Sequence, residues 1–233
     1  MAKTTSFIMY KVVMIISAAL YINSAQAKLP FKNGDRIAFL GDSITQNGSD
    51  DPRGWVNIVE SRVRKEVDEV AFIHAGIGGN TSSHMIKRVD NDVIRRKPTW
   101  IFFSCGVNDS PNPAAENPGV PLEKYVKNVK ALFDKFDKRG AKVIVLSQTP
   151  VLEDDVNYGA NKNLVSYNAE LKRLALERNY TYFDPGAAIR KAIADKKDPK
   201  KRELTYDGTH LSDRGNAIFA EVVLKGLEEL ASK

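Results

Sequence analysis

The sequence predicts an α/β domain: a parallel sheet of five strands with helices on both faces. Two observations carry this reading. Short apolar runs alternate with longer stretches of helical spacing, the order expected of strand–helix–strand units. The runs are apolar nearly throughout, as strands covered on both faces require, rather than alternating with polar residues. Arg36 to Leu40 (Arg-Ile-Ala-Phe-Leu) is the first strand and ends at Gly41. Val70 to His74 is the second and ends at Gly76; Thr99 to Ser104 is the third and ends at Gly106. Lys142 to Ser147 is the fourth, and Tyr180 to Phe183 the fifth, stopping at Asp184-Pro185.

The intervening stretches have helical periodicity. Trp55, Ile58, Val59, Val63 and Val67 recur at steps of three or four. So do Tyr125, Val129, Leu132, Phe133 and Phe136, with Gly140 as the stop, and then Leu164, Tyr167, Leu171, Leu174 and Ala175. Ile218, Val222, Leu224 and Leu227 mark a last helix, capped by Ser212-Asp213. Ligands of such sheets bind at the carboxyl ends of the strands. Each polar, glycine-bearing segment in question is expected to follow a strand directly, which puts all of them on that one edge.

Residues 1–27 read as a secretory signal peptide. Lys3 and Lys11 precede the apolar run Val12 to Ile22, and Ala25-Gln26-Ala27 is a small-x-small cleavage site. The run is about 11 residues, short of the roughly 20 that span a bilayer, so export without lasting membrane insertion is expected over an uncleaved anchor. Removing it takes two lysines and no acids from a formal charge of +6. About 206 residues remain, residues 28–233, enough for one domain with a full core. Cys105, the only cysteine, lies in an apolar run and reads as a buried small hydrophobe. The mild basic excess is too diffuse to indicate nucleic acid. No His, Cys or carboxylate group has metal-ligand spacing, so no metal and no cofactor are expected. His74 and His84 read as a core and a surface residue.

Four segments carry chemistry. They are Gly41-Asp42-Ser43-Ile44-Thr45, Gly76-Ile77-Gly78-Gly79-Asn80-Thr81, Gly106-Val107-Asn108-Asp109, and Asp207-Gly208-Thr209-His210-Leu211-Ser212. They supply a hydroxyl, an imidazole and a carboxylate in a chain with three histidines. A serine needs a base to take its proton, and the base needs a partner to hold its tautomer. In this order the segments resemble the SGNH hydrolases, or GDSL-type esterases and lipases, over essentially the whole chain from about residue 35. The resemblance implies a three-layer α/β/α flavodoxin-like fold, with Ser43 as nucleophile, His210 as general base and Asp207 as its orienting partner. It implies an oxyanion hole from the N–H groups of Ser43 and Gly79 and the amide of Asn108. The family often has Asn where this chain has His74, a departure read as peripheral. Arg88 matches an arginine of many relatives, with the expected job of bracing the loop.

Each residue also has a plainer reading. Ser43 could cap a helix, His210 could be an ordinary exposed histidine, and Asp207-Gly208 could be a turn. Four segments in order outweigh these. Gly76 to Gly79 lacks the Lys-Ser/Thr of a phosphate loop. The loops Asn47 to Gly54, Ser110 to Pro121 and Thr149 to Asn163 are polar, with Tyr158 their only aromatic, and hold no apolar run for a fatty-acyl tunnel. The expectation is therefore an exported esterase, periplasmic or secreted, removing short acyl groups, acetyl foremost, from a small or polymeric carbohydrate. A lysophospholipase or thioesterase with the same residues, acyl transfer to a second alcohol, and a non-catalytic carbohydrate-binding protein are the competing readings. The basic stretch Lys191 to Arg202 reads as a solvated loop or a face for an acidic polymer. The sequence assigns no oligomeric state.

Overall fold

The computed structural model describes residues 28–155 and 157–233; the expected signal peptide, residues 1–27, lies outside them. Five strands form one parallel sheet: β1 (Asp35–Gly41), β2 (Val70–Gly76), β3 (Trp100–Ser104), β4 (Lys142–Leu146) and β5 (Thr181–Phe183). Their order is β2-β1-β3-β4-β5, the flavodoxin-like arrangement, in which the chain reverses its direction of travel across the sheet between β1 and β3. A crevice opens at that switch point, beyond the carboxyl ends of the strands.

Alternate residues of each strand feed opposite cores. Ala38, Leu40, Ile101, Phe103, Val143 and Val145 pack under α3 (Ser82–Asp92), α4 (Leu122–Arg139) and α5 (Gly159–Glu177). Ile37, Phe39, Phe102, Ile144 and Leu146 pack under α1 (Ser43–Asp50), α2 (Trp55–Arg64), α6 (Pro185–Ala194) and α7 (Asp213–Ala231). Three layers result, as expected. The inward stripe of α4 is Tyr125, Val129, Leu132, Phe133 and Phe136, and Gly140 ends the helix.

Trp55 fastens the second face together. It is fully buried, its indole N–H donates to Ile44 O at 3.0 Å, and its ring meets Phe39 and Phe219. Its backbone N–H donates to Asn216 Oδ1 at 3.0 Å. One side chain thus ties β1, α1 and α7, and burial of such a ring stabilises by about 2–3 kcal/mol.

Three helices, α1, α3 and α6, fall outside the periodic pattern. α1 is short and polar, and α6 begins at Pro185, a residue read above only as the end of a strand. The Asp184 side chain caps α6 by accepting the Ala187 N–H at 2.9 Å, and proline suits the first helical position. His74 is not in the core: it lies exposed on edge strand β2, with Nε2 2.5 Å from Glu60 Oε1. His84 caps α3 reciprocally with Thr81. The stretch Lys191 to Arg202 is not simply a solvated loop either. Lys191 lies on α6, and Lys196 is buried.

Candidate active site

Ser43 is the first residue of α1, directly beyond β1, where helix N–H groups lack intrahelical partners and favour negative charge. The cap is its neighbour: Asp42 Oδ1 accepts the Ile44 N–H at 3.0 Å, which leaves the Ser43 hydroxyl uncommitted to capping. α1 can start this close to β2 because position 76 is glycine. A Cβ there would lie 2.4 Å from the Gln46 backbone nitrogen.

His210 reaches Ser43 from the far end of the chain. Its Nε2 lies 2.9 Å from Ser43 Oγ, and its Nδ1 lies 2.5 Å from Asp207 Oδ2. The other oxygen of Asp207 accepts the Thr209 and His210 N–H groups at 2.9 and 2.8 Å. The spacing of three residues therefore works through a tight turn built on the Asp207 side chain itself. Burial raises the Asp207 carboxyl, but the ring and backbone donors outweigh it and hold the group below its ordinary value. An ionised carboxylate only accepts, so Nδ1 carries the proton and Nε2 is left to accept from Ser43 Oγ–H.

The turn is held from beneath by Glu153. Its Oε1 accepts from Lys196 Nζ at 3.0 Å and from the Glu203 N–H at 2.8 Å. Its Oε2 accepts from the Thr205 N–H at 2.8 Å and the Thr205 hydroxyl at 2.7 Å, and the Leu204 N–H reaches both oxygens at 3.1 Å. The Glu153 N–H donates to Gly208 O at 3.0 Å. Burial pushes this carboxyl up, yet the donors from Glu203, Thr205, Lys196 and Leu204 bring it down to about 2. Sequence reading placed Glu153 in a polar loop and gave it no role.

The glycine segment lies against Ser43. A Cβ on Gly78 would come within 3.8 Å of Ser43 Cβ, and the Gly78 N–H donates to Gln46 Oε1 at 2.7 Å. Gly79 has φ +71°, a left-handed conformation, and faces open space. Its N–H has no hydrogen bond among the described residues. Asn108 Nδ2 donates to Asn80 O at 3.1 Å, which joins the second and third segments. Arg88 braces the same corner: it donates to Asn80 Oδ1 at 2.7 Å, Ala75 O at 2.9 Å and Gly41 O at 3.0 Å, and pairs with Asp92 at 2.9 Å.

Two buried carboxyls form the floor. Asp109 accepts the Ser82 N–H at 2.9 Å and the Ser82 hydroxyl at 2.5 Å, and burial raises it. Burial pushes the fully enclosed Asp42 carboxyl up to about 7, against the Ile44 N–H that favours its charge. Its Oδ2 has no partner among the described residues. Cys105 is buried beside Asp109, as its apolar surroundings predict, and burial holds its thiol well above the ordinary range.

A groove of about 910 Å³ adjoins the site between the end of α1 and the start of α7. Tyr206 stands at its edge, parallel to the His210 ring (centroids 5.7 Å apart, 16°), with its hydroxyl accepting from Asn47 Nδ2 at 3.0 Å. It is the site's exposed aromatic, at 62% exposure, and it lies outside the three loops expected to line the site. Its only signal was its place directly before Asp207.

A doubly wound sheet with a serine and histidine in contact at its switch point belongs among the hydrolases, and comparison with known proteins narrows the class. Residues 39–218 match the model of the GDSL-like lipase/acylhydrolase family. The chain belongs to that family and is a carboxylic ester hydrolase. It is 26% identical to the acetylxylan esterase of Geobacillus stearothermophilus, over 86% of this chain and 98% of that one. It is 25% identical to a probable rhamnogalacturonan acetylesterase of Bacillus subtilis, over 84% of this chain and 94% of that one. A solved acetyl xylan esterase, AlAXEase, superposes with a TM-score of 0.72 at 25% identity, covering 82% of this chain and 99% of its own.

Proposed function

We propose that the protein is an exported serine esterase that removes acetyl and other short acyl groups from carbohydrate, with residues 28–233 as its catalytic domain and residues 1–27 as its export signal. Ser43 Oγ attacks the ester carbonyl carbon while His210 Nε2 takes its proton. Asp207 holds the imidazole and stabilises its positive charge. The carbonyl oxygen becomes an oxyanion held by the N–H groups of Ser43 and Gly79 and the amide of Asn108, each preorganised donor contributing about 3 kcal/mol to the transition state. The C–O bond then breaks, and His210 returns the proton to the leaving sugar hydroxyl. Water attacks the acyl-serine with its proton going to the same nitrogen, and the carboxylic acid leaves as Ser43 recovers its hydrogen.

The observation that carries this reading is the unbroken relay from Ser43 Oγ through His210 to Asp207, at 2.9 and 2.5 Å. Relatives named for acetyl removal from xylan and rhamnogalacturonan, matched over nearly their whole length, support the acetyl and carbohydrate parts. Among the described residues the exposed large apolar side chains are Ile77, Val165, Leu176 and Tyr206, too few to line a fatty-acyl channel. Among them also, no helix is long and apolar enough to cross a membrane.

The test is hydrolysis of p-nitrophenyl esters from acetate to palmitate by residues 28–233, with Ser43→Ala in parallel. Turnover confined to short acyl groups and lost in the variant is expected. A preference for octanoate or longer moves the assignment to lipid or thioester substrates. Turnover that survives Ser43→Ala overturns the mechanism.

A further inference from the structure

The groove beside Tyr206 has no part in the bond-breaking steps above, yet it opens directly alongside them. Asn47 is one helical turn beyond Ser43, and Tyr206 lies flat beside the His210 ring. Resting on the esterase reading of Ser43 and His210, we propose that this groove seats the glycan chain of the ester, that Tyr206 is the face on which a pyranose ring packs, and that the chain it accepts is neutral rather than uronic.

Three observations support it. First, the ring is held ready: Asn47 donates to its hydroxyl, so little rotamer freedom is lost when a sugar covers it. An exposed ring with a tethered polar tip suits a ligand with one apolar face and an edge of hydroxyls. Second, the walls carry hydrogen-bonding groups of both kinds, and their charge runs negative. Asp50, Asp51, Glu203 and Asp213 line the groove with Arg53 and Arg214 as the lining cations, and Lys201 reaches Glu203 at 3.4 Å. Both guanidiniums are already paired, Arg53 with Asp213 at 2.5 Å and Arg214 with Glu203. A uronate there meets excess carboxylate and no free cation. Third, of the six cations in the basic stretch that could have neutralised a uronate, four are tied to local acids, Lys201 among them with Glu203 of the groove at 3.4 Å. Lys191 pairs with Asp195 at 2.6 Å, Lys196 with Glu153 at 3.0 Å and Arg202 with Asp154 at 2.9 Å.

The experiment compares kcat and KM on acetylated xylo-oligosaccharides, acetylated oligogalacturonides and p-nitrophenyl acetate for the wild type, Tyr206→Ala and Tyr206→Phe. The neutral oligosaccharide is expected to be preferred by about tenfold in kcat/KM at low salt, and the gap narrows as salt screens the carboxylates. Tyr206→Ala is expected to raise KM for the neutral oligosaccharide by about three- to tenfold more than KM for p-nitrophenyl acetate, with Tyr206→Phe recovering most of the difference. Equal effects of Tyr206→Ala on both substrates, or a preference for the galacturonide, overturn the proposal. So does sedimentation showing that Tyr206→Ala changes the oligomeric state, which assigns the groove to a second copy of the chain.

If the wild type is inert toward p-nitrophenyl acetate, the esterase reading fails on its own. The groove is then decided by calorimetry of xylo-oligosaccharide with the Ser43→Ala protein. Binding that Tyr206→Ala weakens upholds it, and no binding overturns it.

Discussion

The Glu153 carboxylate and the Lys196 ammonium meet at 3.0 Å with both side chains almost wholly withdrawn from water. A buried ion pair alone is weak grounds for stability, because desolvation offsets its attraction. This one does something more local. The same carboxylate gathers the N–H groups of Glu203, Leu204 and Thr205, the run of backbone that leads to Asp207.

Replacing Glu153 by Gln turns one oxygen into a donor facing donors and leaves Lys196 buried without its anion. Urea unfolding is expected to show a loss of about 3 kcal/mol. At a temperature where the variant is folded, kcat on p-nitrophenyl acetate should fall while KM changes little. The pH sign follows from a carboxyl lowered from 4.5 to about 2. Its stabilisation is fully present above pH 4.5 and lost as pH falls through about 2, so the wild type should lose stability in that window more steeply than Glu153→Gln.

Asp207→Asn keeps the size of the side chain and removes the anion that fixes the His210 tautomer. A fall in kcat of about 10³- to 10⁴-fold with nearly constant KM is expected from steady-state kinetics.

Asp42 titrates the other way. Its folded carboxyl is raised from 3.8 to about 7, so the folded state binds more protons than the unfolded chain between those values. Stability is therefore withdrawn as pH climbs from about 4 to 7. Asp42→Asn can keep an oxygen for the Ile44 N–H and carries no charge. Its melting temperature relative to wild type should rise between pH 5 and pH 8.

Arg88→Lys loses the planar fork that spans Gly41 O, Ala75 O and Asn80. The loop bearing Gly79 should loosen, and kcat is expected to drop by about tenfold or more, since small misplacements of positioned groups are costly. Asn108→Ala should cost about 10²- to 10³-fold in kcat if its amide is an oxyanion donor. The Asn80 carbonyl that Asn108 now bonds gives a control: Asn80→Ala leaves that backbone acceptor in place and should cost less.

Much of the framework was legible because its signals are local. All five strands lie within two residues of their predicted ends, since a run such as Ile-Ala-Phe-Leu has little choice when both faces are covered. Helices α2, α4, α5 and α7 followed from apolar spacing, and α3 did not. α1 was seen only as a junction, because its residues serve the site rather than a core. α6 went unmarked although Asp184-Pro185 is a legitimate helix start, since the same dipeptide also ends strands. Ser43, His210 and Asp207 could be named because their neighbours form recognisable segments, and they lie in hydrogen-bonding contact. Glu153 could not, because its partners are 43 to 52 residues away and one acid in a polar loop looks like another. Tyr206 was hidden by the same logic: its meaning comes from the ring beside it and the groove it borders.

The contact between Ser43 and His210 spans 167 positions, and the segment bearing His210 follows the last strand of the sheet. A nascent chain can therefore lay down every strand while its serine has no proton acceptor. On the proposed mechanism the hydroxyl gains its proton acceptor only once the segment before α7 is folded against α1. A chain cut between β5 and Asp207 loses His210 together with Phe219, Val223 and Leu227 of the second core, and on the proposed mechanism cannot attack an ester.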